Sequence, residues 1–269
     1  MKKIFFFTLF ASISFQLYSQ EKERVYVDEN YQKIDFQKFT KKLQSNLFYV
    51  AKVENDTALF KKLRFKQYFG NIGLKKKYQL NKLFYKRYQI DTTKTWLIHY
   101  LDSLPDIAKM PVESGVIFLD SMGNQDGKML SETQYKNSLV RKSGNAIYLN
   151  TQINNKRHMH IISFSDYKKI IPNEKRKYKK VKDVDLLHFY NYDKGYLKND
   201  INNNLYKDHN LILKRTFTDG MRMYNTIILF ANGDFCLNPN GKVKKLLKPV
   251  KFKKEEKKWI KKLKNSSNP

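Results

Sequence analysis

Two histidines spaced two positions apart are the first chemically suggestive feature of this chain. His158 and His160 lie at a predicted strand, so both rings would leave the same face. Two imidazoles on one face are a common start of a metal site, and the candidates for a third ligand are Asp166 and the strand-borne His99 and His188. Half-exposed strands show the same spacing without a metal. A site with catalytic candidates His158, His160 and Asp166 is therefore the alternative hypothesis.

Acidic residues offer a second candidate chemistry. Asp183 and Asp185 precede His188 in a predicted strand, where alternation would place both carboxylates on one face for acid-base work. Any half-exposed strand presents polar groups in this way. The sequence contains no phosphate-cradling glycine loop, no serine elbow and no cysteine pair. The single cysteine, Cys236, excludes an intrachain disulfide and is either buried or a free thiol.

The first twenty residues are typical of a secretory signal peptide. Lys2 and Lys3 precede an apolar run over residues 4–15, and Ser19 and Gln20 flank a plausible cleavage site. The apolar run is shorter than the roughly 20 residues of a spanning helix. We therefore expect a soluble protein in the periplasm or outside the cell.

The chain is strongly basic, with a formal net charge of +28 that is reduced by only two when the signal peptide is removed. Such a charge suggests a polyanionic partner, but the excess is mostly lysine, whereas nucleic-acid readers favour arginine. The same excess also fits compositional drift with solvated lysines. The candidate binding residues lie in two lysine-rich segments: Lys175, Arg176, Lys177, Lys179 and Lys180, and Lys257, Lys258, Trp259, Lys261 and Lys262.

Hydrophobic periodicity predicts a fold of the α/β or α+β class, with a helical N-terminal third, a central mixed sheet, an antiparallel meander and a hairpin. The predicted regions are a signal peptide at 1–19, a helical region at 20–92, a sheet domain at 93–251 and a basic helix and tail at 252–269. Helices are predicted at 35–47, 57–68, 75–88 and 252–264. Strands are predicted at 47–53, 95–100, 116–119, 138–141, 146–151, 159–164, 184–190, 211–217 and 224–230. A short helix capped by Asp166 is expected to stop at Pro172, and Asn232 and Gly233 predict a two-residue hairpin turn.

The order of elements from residue 93 to 264 resembles a thioredoxin-like domain with an insertion at about 106–157. The chain is also similar to uncharacterised exported thioredoxin-like proteins whose first third is helical. Where that family carries its redox pair, this chain has Asp102-Ser103-Leu104-Pro105, and residues 221–226 lack the family's groove proline. Cys236 matches no catalytic position. The resemblance therefore implies the fold without dithiol exchange.

Together these features favour an exported, non-enzymatic protein that binds an unknown protein or an anionic envelope component through a basic surface. We expect no cofactor, no resident metal and no transmembrane span after processing, and nucleic acid is disfavoured as a partner. The alternative is a metal-dependent hydrolase or nuclease that uses the histidine pair, and a third hypothesis is a redox-fold module that has become a protein-binding scaffold.

Overall fold

A computed structural model describes residues 22–119, 129–131, 133–134, 157–195, 205–217, 225–238 and 242–267. The predicted signal peptide with its cleavage site at Ser19 and Gln20 lies outside these residues, as do the strands predicted at 138–141 and 146–151. No helix in the described ranges is both long and apolar enough to cross a membrane.

The described chain combines strands and helices, with a central mixed sheet, which confirms the predicted class of a mixed α/β protein. The strands are β1 (Glu23–Val27), β2 (Phe48–Glu54), β3 (Ala58–Phe65), β4 (Tyr68–Asn71), β5 (Thr95–Leu104), β6 (Gly115–Leu119), β7 (Arg157–Ile161), β8 (Val184–Asp193), β9 (Leu205–Lys207), β10 (Thr226–Leu229) and β11 (Asp234–Leu237). The helices are α1 (Phe36–Gln44), α2 (Leu74–Tyr88), α3 (Phe164–Tyr178), α4 (Ile212–Phe217), α5 (Val243–Leu246) and α6 (Pro249–Ser267).

Two compact units divide the chain: Met1–Gly70 together with Asn238–Pro269, and Asn71–Leu237. The C-terminal helix α6 thus belongs to the same unit as β1–β3. The regions predicted at 20–92, 93–251 and 252–269 do not coincide with these units.

In the first unit, β3 lies between β1, to which it is parallel, and β2, to which it is antiparallel. Helix α1 begins as predicted, because the Asp35 carboxylate accepts the Lys38 N–H at 2.8 Å. The core of this unit contains Phe39, Leu47, Phe48 and Leu63, against which Trp259 and Leu263 of α6 pack. The predicted C-terminal helix therefore packs apolar side chains against a core.

The helix predicted at 57–68 is wrong, because Ala58–Phe65 is strand β3. Leu59, Phe60 and Leu63 satisfy a helical spacing, but a central strand buries residues of both faces and accepts the same pattern. Pairing with β1 and β2 on both sides satisfies its backbone groups. The N-terminal third is therefore less helical than predicted.

The second unit is built on a mixed sheet in which the order of its strands is β11-β10-β5-β8-β9. Strands β5, β8 and β9 are parallel, and β10 is antiparallel to β5 and β11. Helix α2 covers one face, where the ring of Phe84 stacks on Trp96 and Phe189 at centroid distances of 5.0 and 5.1 Å. Strands β6 and β7 form a separate antiparallel pair, which corresponds to the described part of the predicted meander.

The predicted hairpin joins β10 to β11, but its turn is longer than two residues. Phe230 pairs with Asp234 through a backbone hydrogen bond of 2.8 Å, so three residues form the loop. Gly233 has a φ of 87°, in the left-handed region that favours glycine. This is the loop type in which a type I turn is followed by one left-handed residue.

The strand predicted at 211–217 is also wrong, because these residues form the end of a 3₁₀ turn, His209–Leu211, and helix α4. The buried Asp208 carboxylate accepts the backbone N–H groups of Leu213 and Lys214 at 3.0 and 3.2 Å. These bonds satisfy donors of the first helical turn and favour a helix over an extended segment.

Candidate metal centre

Two histidines of the central sheet face each other across parallel strands. His99 of β5 is in register with His188 of β8, so both side chains leave the same face of the sheet. Their ring centroids lie 5.4 Å apart and their planes are inclined by 68°. Both residues were predicted as strand-borne candidates for a third metal ligand, and the structure brings them together.

Helix α3 covers this face of the sheet. It begins at Phe164 and is capped by Ser163, whose Oγ accepts the Asp166 N–H at 3.3 Å, so the predicted cap at Asp166 is wrong. Near its start, Phe164 and Tyr167 pack against Leu104 and Tyr190 of β5 and β8. The start of α3 is therefore fixed against the two strands that carry the histidines.

The predicted stop at Pro172 is wrong, since α3 continues to Tyr178. Proline removes one backbone N–H and tends to kink a helix, but tertiary contacts can hold both halves. Tyr178 is buried, and Glu174, seven residues after Tyr167, lies on the same helical face. The second half of α3 thus carries a carboxylate towards the sheet.

Glu174 connects the two histidines through one oxygen. Its Oε2 lies 2.9 Å from His99 Nδ1 and 2.8 Å from His188 Nε2. The three potential ligand atoms all lie within 4.8 Å of one another. His188 is almost fully buried, whereas His99 and Glu174 keep part of their side-chain surface. Two imidazole nitrogens and a carboxylate oxygen therefore converge at a partly buried site.

Hydrogen bonding and burial shift the pKa of Glu174 and that of His188. Burial alone would raise the pKa of Glu174, but hydrogen bonds from His188 and His99 outweigh it and lower the pKa to about 2. Burial lowers the pKa of His188 below its ordinary value, against the opposing effect of Glu174. At neutral pH the site thus offers an ionised carboxylate and a neutral His188 imidazole, and a metal would displace the protons that the ring nitrogens donate to Glu174.

The outer nitrogens of both rings lack a partner within the described residues. His99 Nε2 and His188 Nδ1 are buried without a hydrogen bond. Metal-bound histidines usually donate this outer N–H to a carboxylate or carbonyl, and loss of such a partner costs about 10–100-fold in metal affinity. We therefore expect weaker metal binding than a fully supported site of the same ligands would show.

The arrangement suits two chemical roles. Without a metal, the carboxylate and the two rings form a buried hydrogen-bonded cluster that ties α3 to the sheet. With a metal, the same atoms supply the two-histidine, one-glutamate set of catalytic zinc sites and the two-histidine, one-carboxylate set of non-haem iron sites. Both metal types leave coordination positions open beyond three protein ligands.

The histidine pair predicted from the sequence, His158 and His160, is not in this cluster. His160 is exposed on β7, and the Asp166 carboxylate accepts hydrogen bonds from Ser114 and Lys169 at 2.6 and 2.8 Å. His158 occupies the position of β7 opposite Phe118, but its side chain lies outside the described part of the structure. Metal binding or catalysis by His158, His160 and Asp166 stays a prediction.

The aspartates near His188 have other roles. Asp185 pairs with Lys94 at 3.2 Å, and Asp183 lies before β8 with a φ of 58°. Neither reaches the ring of His188 through a hydrogen bond, whereas Glu174 does. The acidic partner of His188 therefore comes from α3 rather than from its own strand.

The predicted binding residues are distributed over exposed and buried positions. Trp259 packs against Phe65, Tyr68 and Phe69 with centroid distances of 5.4, 5.4 and 6.0 Å, so it belongs to the core of the first unit. Lys175 is half-buried. The remaining candidates are exposed on α3, directly after it, or on α6: Arg176, Lys177, Lys179, Lys180, Lys257, Lys258, Lys261 and Lys262.

Comparisons with protein-family models, with curated proteins and with solved structures found no match to this chain.

Proposed function

We propose that this protein binds a divalent transition-metal ion, with Zn²⁺ as the best fit, through His99, Glu174 and His188. The observation that carries the proposal is the convergence of three donor atoms from β5, α3 and β8. Neutral imidazole and carboxylate donors suit zinc, and a site with three protein ligands keeps a fourth position for water or substrate.

Metal analysis and calorimetric zinc titration of the purified chain test this proposal. We expect one zinc per chain, and replacement of Glu174 by Gln, which removes one of three ligands, should lower the affinity at least tenfold. Zinc at 100 times its Kd should stabilise the folded chain by about 2.7 kcal/mol. His160→Ala is the matched control, because it removes an exposed histidine outside the cluster.

The control also separates this site from the one predicted from sequence. If His160→Ala removes zinc while Glu174→Gln and His99→Ala do not, the metal lies at the β7 histidines and the present proposal is wrong. Equal zinc content in all three variants would also contradict it.

Hydrolysis is a candidate activity of the same site. A three-ligand zinc site lowers the pKa of its bound water to about 7, which supplies hydroxide near neutral pH. The carboxylate of Glu174 is used as a ligand, so a general base would have to come from elsewhere. Zinc-dependent hydrolysis of an activated phosphate diester or ester, lost in Glu174→Gln, would support this activity.

Export and binding to an anionic envelope component remain proposals from the sequence. The net charge of +28 supports them, as do the exposed lysines of α3 and α6. Retention of the chain on heparin that disappears at moderate salt is the expected result, and no retention at low salt would contradict it.

The thioredoxin-like resemblance also remains a proposal, now for the unit Asn71–Leu237. Its support is the succession of β5, α3 and the parallel strand β8, followed by the hairpin of β10 and β11. Cys236 is buried in β11, so this proposal concerns a scaffold and includes no dithiol chemistry.

A further inference from the structure

Helix α2 exposes an apolar and aromatic stripe that no other element among the described residues covers. Leu74, Tyr78 and Tyr85 are 76%, 68% and 61% exposed. Steps of four and seven residues place the three side chains above one another on one side of the helix. The core-facing side of α2 carries Leu80 and Phe84 instead, which are buried. The exposed stripe is therefore additional to the residues that anchor the helix.

A row of cations lies directly beside this stripe. Lys75, Lys82 and Lys86 are also separated by seven and four residues. They therefore form a second row on the helix surface, next to the stripe. Lys76 and Arg87 are exposed as well. The helix contains no acidic residue between Leu74 and Tyr88.

Helices α3 and α6 contain acidic residues that pair with some of their cations, whereas α2 contains none. On α6, Lys253 and Lys258 form ion pairs with Glu256 and Glu255 at 2.8 and 3.1 Å, and on α3 Lys169 pairs with Asp166. Among the described residues, no ion pair involves the lysines of the α2 row: Lys75, Lys82 and Lys86. The charge of α2 is thus left for an external anion.

We propose that the outer face of α2, defined by Leu74, Lys75, Tyr78, Lys82, Tyr85 and Lys86, binds the surface of an anionic lipid bilayer. Tyrosine and leucine side chains partition into the interfacial layer, and lysines beside them reach the lipid head groups. Each lysine near an anionic surface contributes affinity, and three together correspond to about 100-fold.

Single-stranded nucleic acid is the competing partner, and the geometry favours it less. Strand-binding proteins combine a basic groove with stacking rings, whereas this surface is the convex side of one helix. Leu74, the most exposed member of the stripe, has no ring on which a base could stack. A planar bilayer, by contrast, can contact the whole length of an exposed helix at once.

The inference deepens the envelope-binding proposal by naming its surface and partner, and it is independent of the metal site. Its test is co-sedimentation of the full chain with phosphatidylcholine vesicles and with mixed phosphatidylcholine–phosphatidylglycerol vesicles at physiological salt. We expect binding to the mixed vesicles, weakened about 100-fold by the triple change Lys75→Gln, Lys82→Gln and Lys86→Gln.

The matched control is a triple change of the same charge at exposed lysines outside α2, α3 and α6, Lys38→Gln, Lys52→Gln and Lys248→Gln. This change should weaken binding no more than about threefold if α2 is the contact. A second variant, Tyr78→Ser with Tyr85→Ser, keeps the charge and should reduce the binding that survives at high salt. An equal or larger loss in the lysine control would overturn the α2 surface.

Three further outcomes separate this inference from the general proposal. Heparin retention without vesicle binding would overturn the bilayer inference and leave the envelope-binding proposal standing. Tighter binding to a single-stranded oligonucleotide than to the vesicles, lost in the α2 triple variant, would assign the surface to nucleic acid. Neither heparin nor vesicle binding would contradict both.

Discussion

On one face of strands β5 and β8, a carboxylate lies between two histidine rings. On the other face, a lysine lies on an indole ring and has no hydrogen-bonding partner among the described residues. Trp96 and His99 are three positions apart in β5, so their side chains leave opposite faces of the sheet. Helix α3 covers the first face and α2 the second. The two faces therefore bury a charge in two different ways.

The lysine on the second face is Lys77 of α2. It is 2% exposed, its Nζ lies 3.6 Å from the centroid of the Trp96 ring, and no hydrogen bond to it is formed within the described chain. The indole is held in place because its Nε1 donates to the Asp91 carbonyl at 2.8 Å. Burial lowers the pKa of Lys77 to about 8.

The contrast shows that partners, more than depth, decide whether a buried group keeps its charge. Glu174 has two imidazole donors and its pKa falls to about 2, so it stays ionised. Lys77 has only the face of an aromatic ring, and its pKa falls towards neutrality. The face covered by α3 keeps a carboxylate charged and so has the ligands to bind a metal ion. The face covered by α2 instead packs around the aliphatic stem of a lysine.

Replacing Lys77 by Met gives the largest expected effect. The lowered pKa means that burying the charged ammonium is unfavourable. When Lys77 is charged in both the folded and the unfolded state, this burial reduces the free energy of unfolding by about 3 kcal/mol. Because the folded pKa of about 8 lies below the unfolded value of 10.5, this loss is complete below pH 8 and vanishes as the pH rises past 10.5. Lys77→Met should therefore be more stable at pH 7 and equal to the unmodified chain above pH 10.5.

Urea unfolding at both pH values measures this difference. Lys82→Met on the exposed side of the same helix is the matched control, and its stability should change by no more than about 0.5 kcal/mol. A variant Lys77→Met that is no more stable at pH 7, or whose advantage persists above pH 10.5, would show that the ammonium carries no penalty.

Glu174→Gln probes the opposite face and should have a smaller effect. Loss of the ionised acceptor between two rings should lower the free energy of unfolding by about 2 kcal/mol at pH 7 in a chelator. The folded pKa of about 2 lies below the ordinary 4.5, so the contribution is complete above pH 4.5 and is lost as the pH falls towards 2. The difference in the free energy of unfolding between the unmodified chain and Glu174→Gln should therefore disappear over this pH window, as the pH falls from 4.5 towards 2.

The control for this measurement is Glu113→Gln, which changes an exposed carboxylate outside the cluster. Its stability should match that of the unmodified chain at both ends of the window. A gap for Glu174→Gln that does not depend on pH would mean that packing, rather than charge, holds α3 on the sheet.

Local signals in the sequence predicted much of the fold. The apolar runs of β5 and β8, the Asp35 cap of α1 and the glycine turn at Gly233 each depend on residues close in the chain. The prediction was wrong where contacts with residues outside the segment determined its secondary structure. Segment 57–68 became a strand because β1 and β2 flank it, and segment 211–217 became helical because Asp208 satisfies its first turn.

The site was predictable only in part. The sequence identified His99 and His188 as strand-borne candidates for a third ligand, but their register follows from pairing between segments about ninety residues apart. Glu174 was missed because Pro172 suggested an end to the helix. Had the helix been extended through the proline, the spacing of Tyr167, Glu174 and Tyr178 would have placed the carboxylate on the inner face.

The smallest expected effect comes from the contact between Lys77 and the Trp96 ring. In a double-mutant cycle with Lys77→Met and Trp96→Leu, the ammonium and the indole should couple by about 1 kcal/mol at pH 7. The coupling should disappear above pH 10.5, where the amine is neutral in both states. A cycle of Lys82→Met with Trp96→Leu is the control and should give no coupling. If the Lys77 coupling persists at high pH, the ring stabilises the lysine stem by packing, and the ammonium on this face has no electrostatic partner at all.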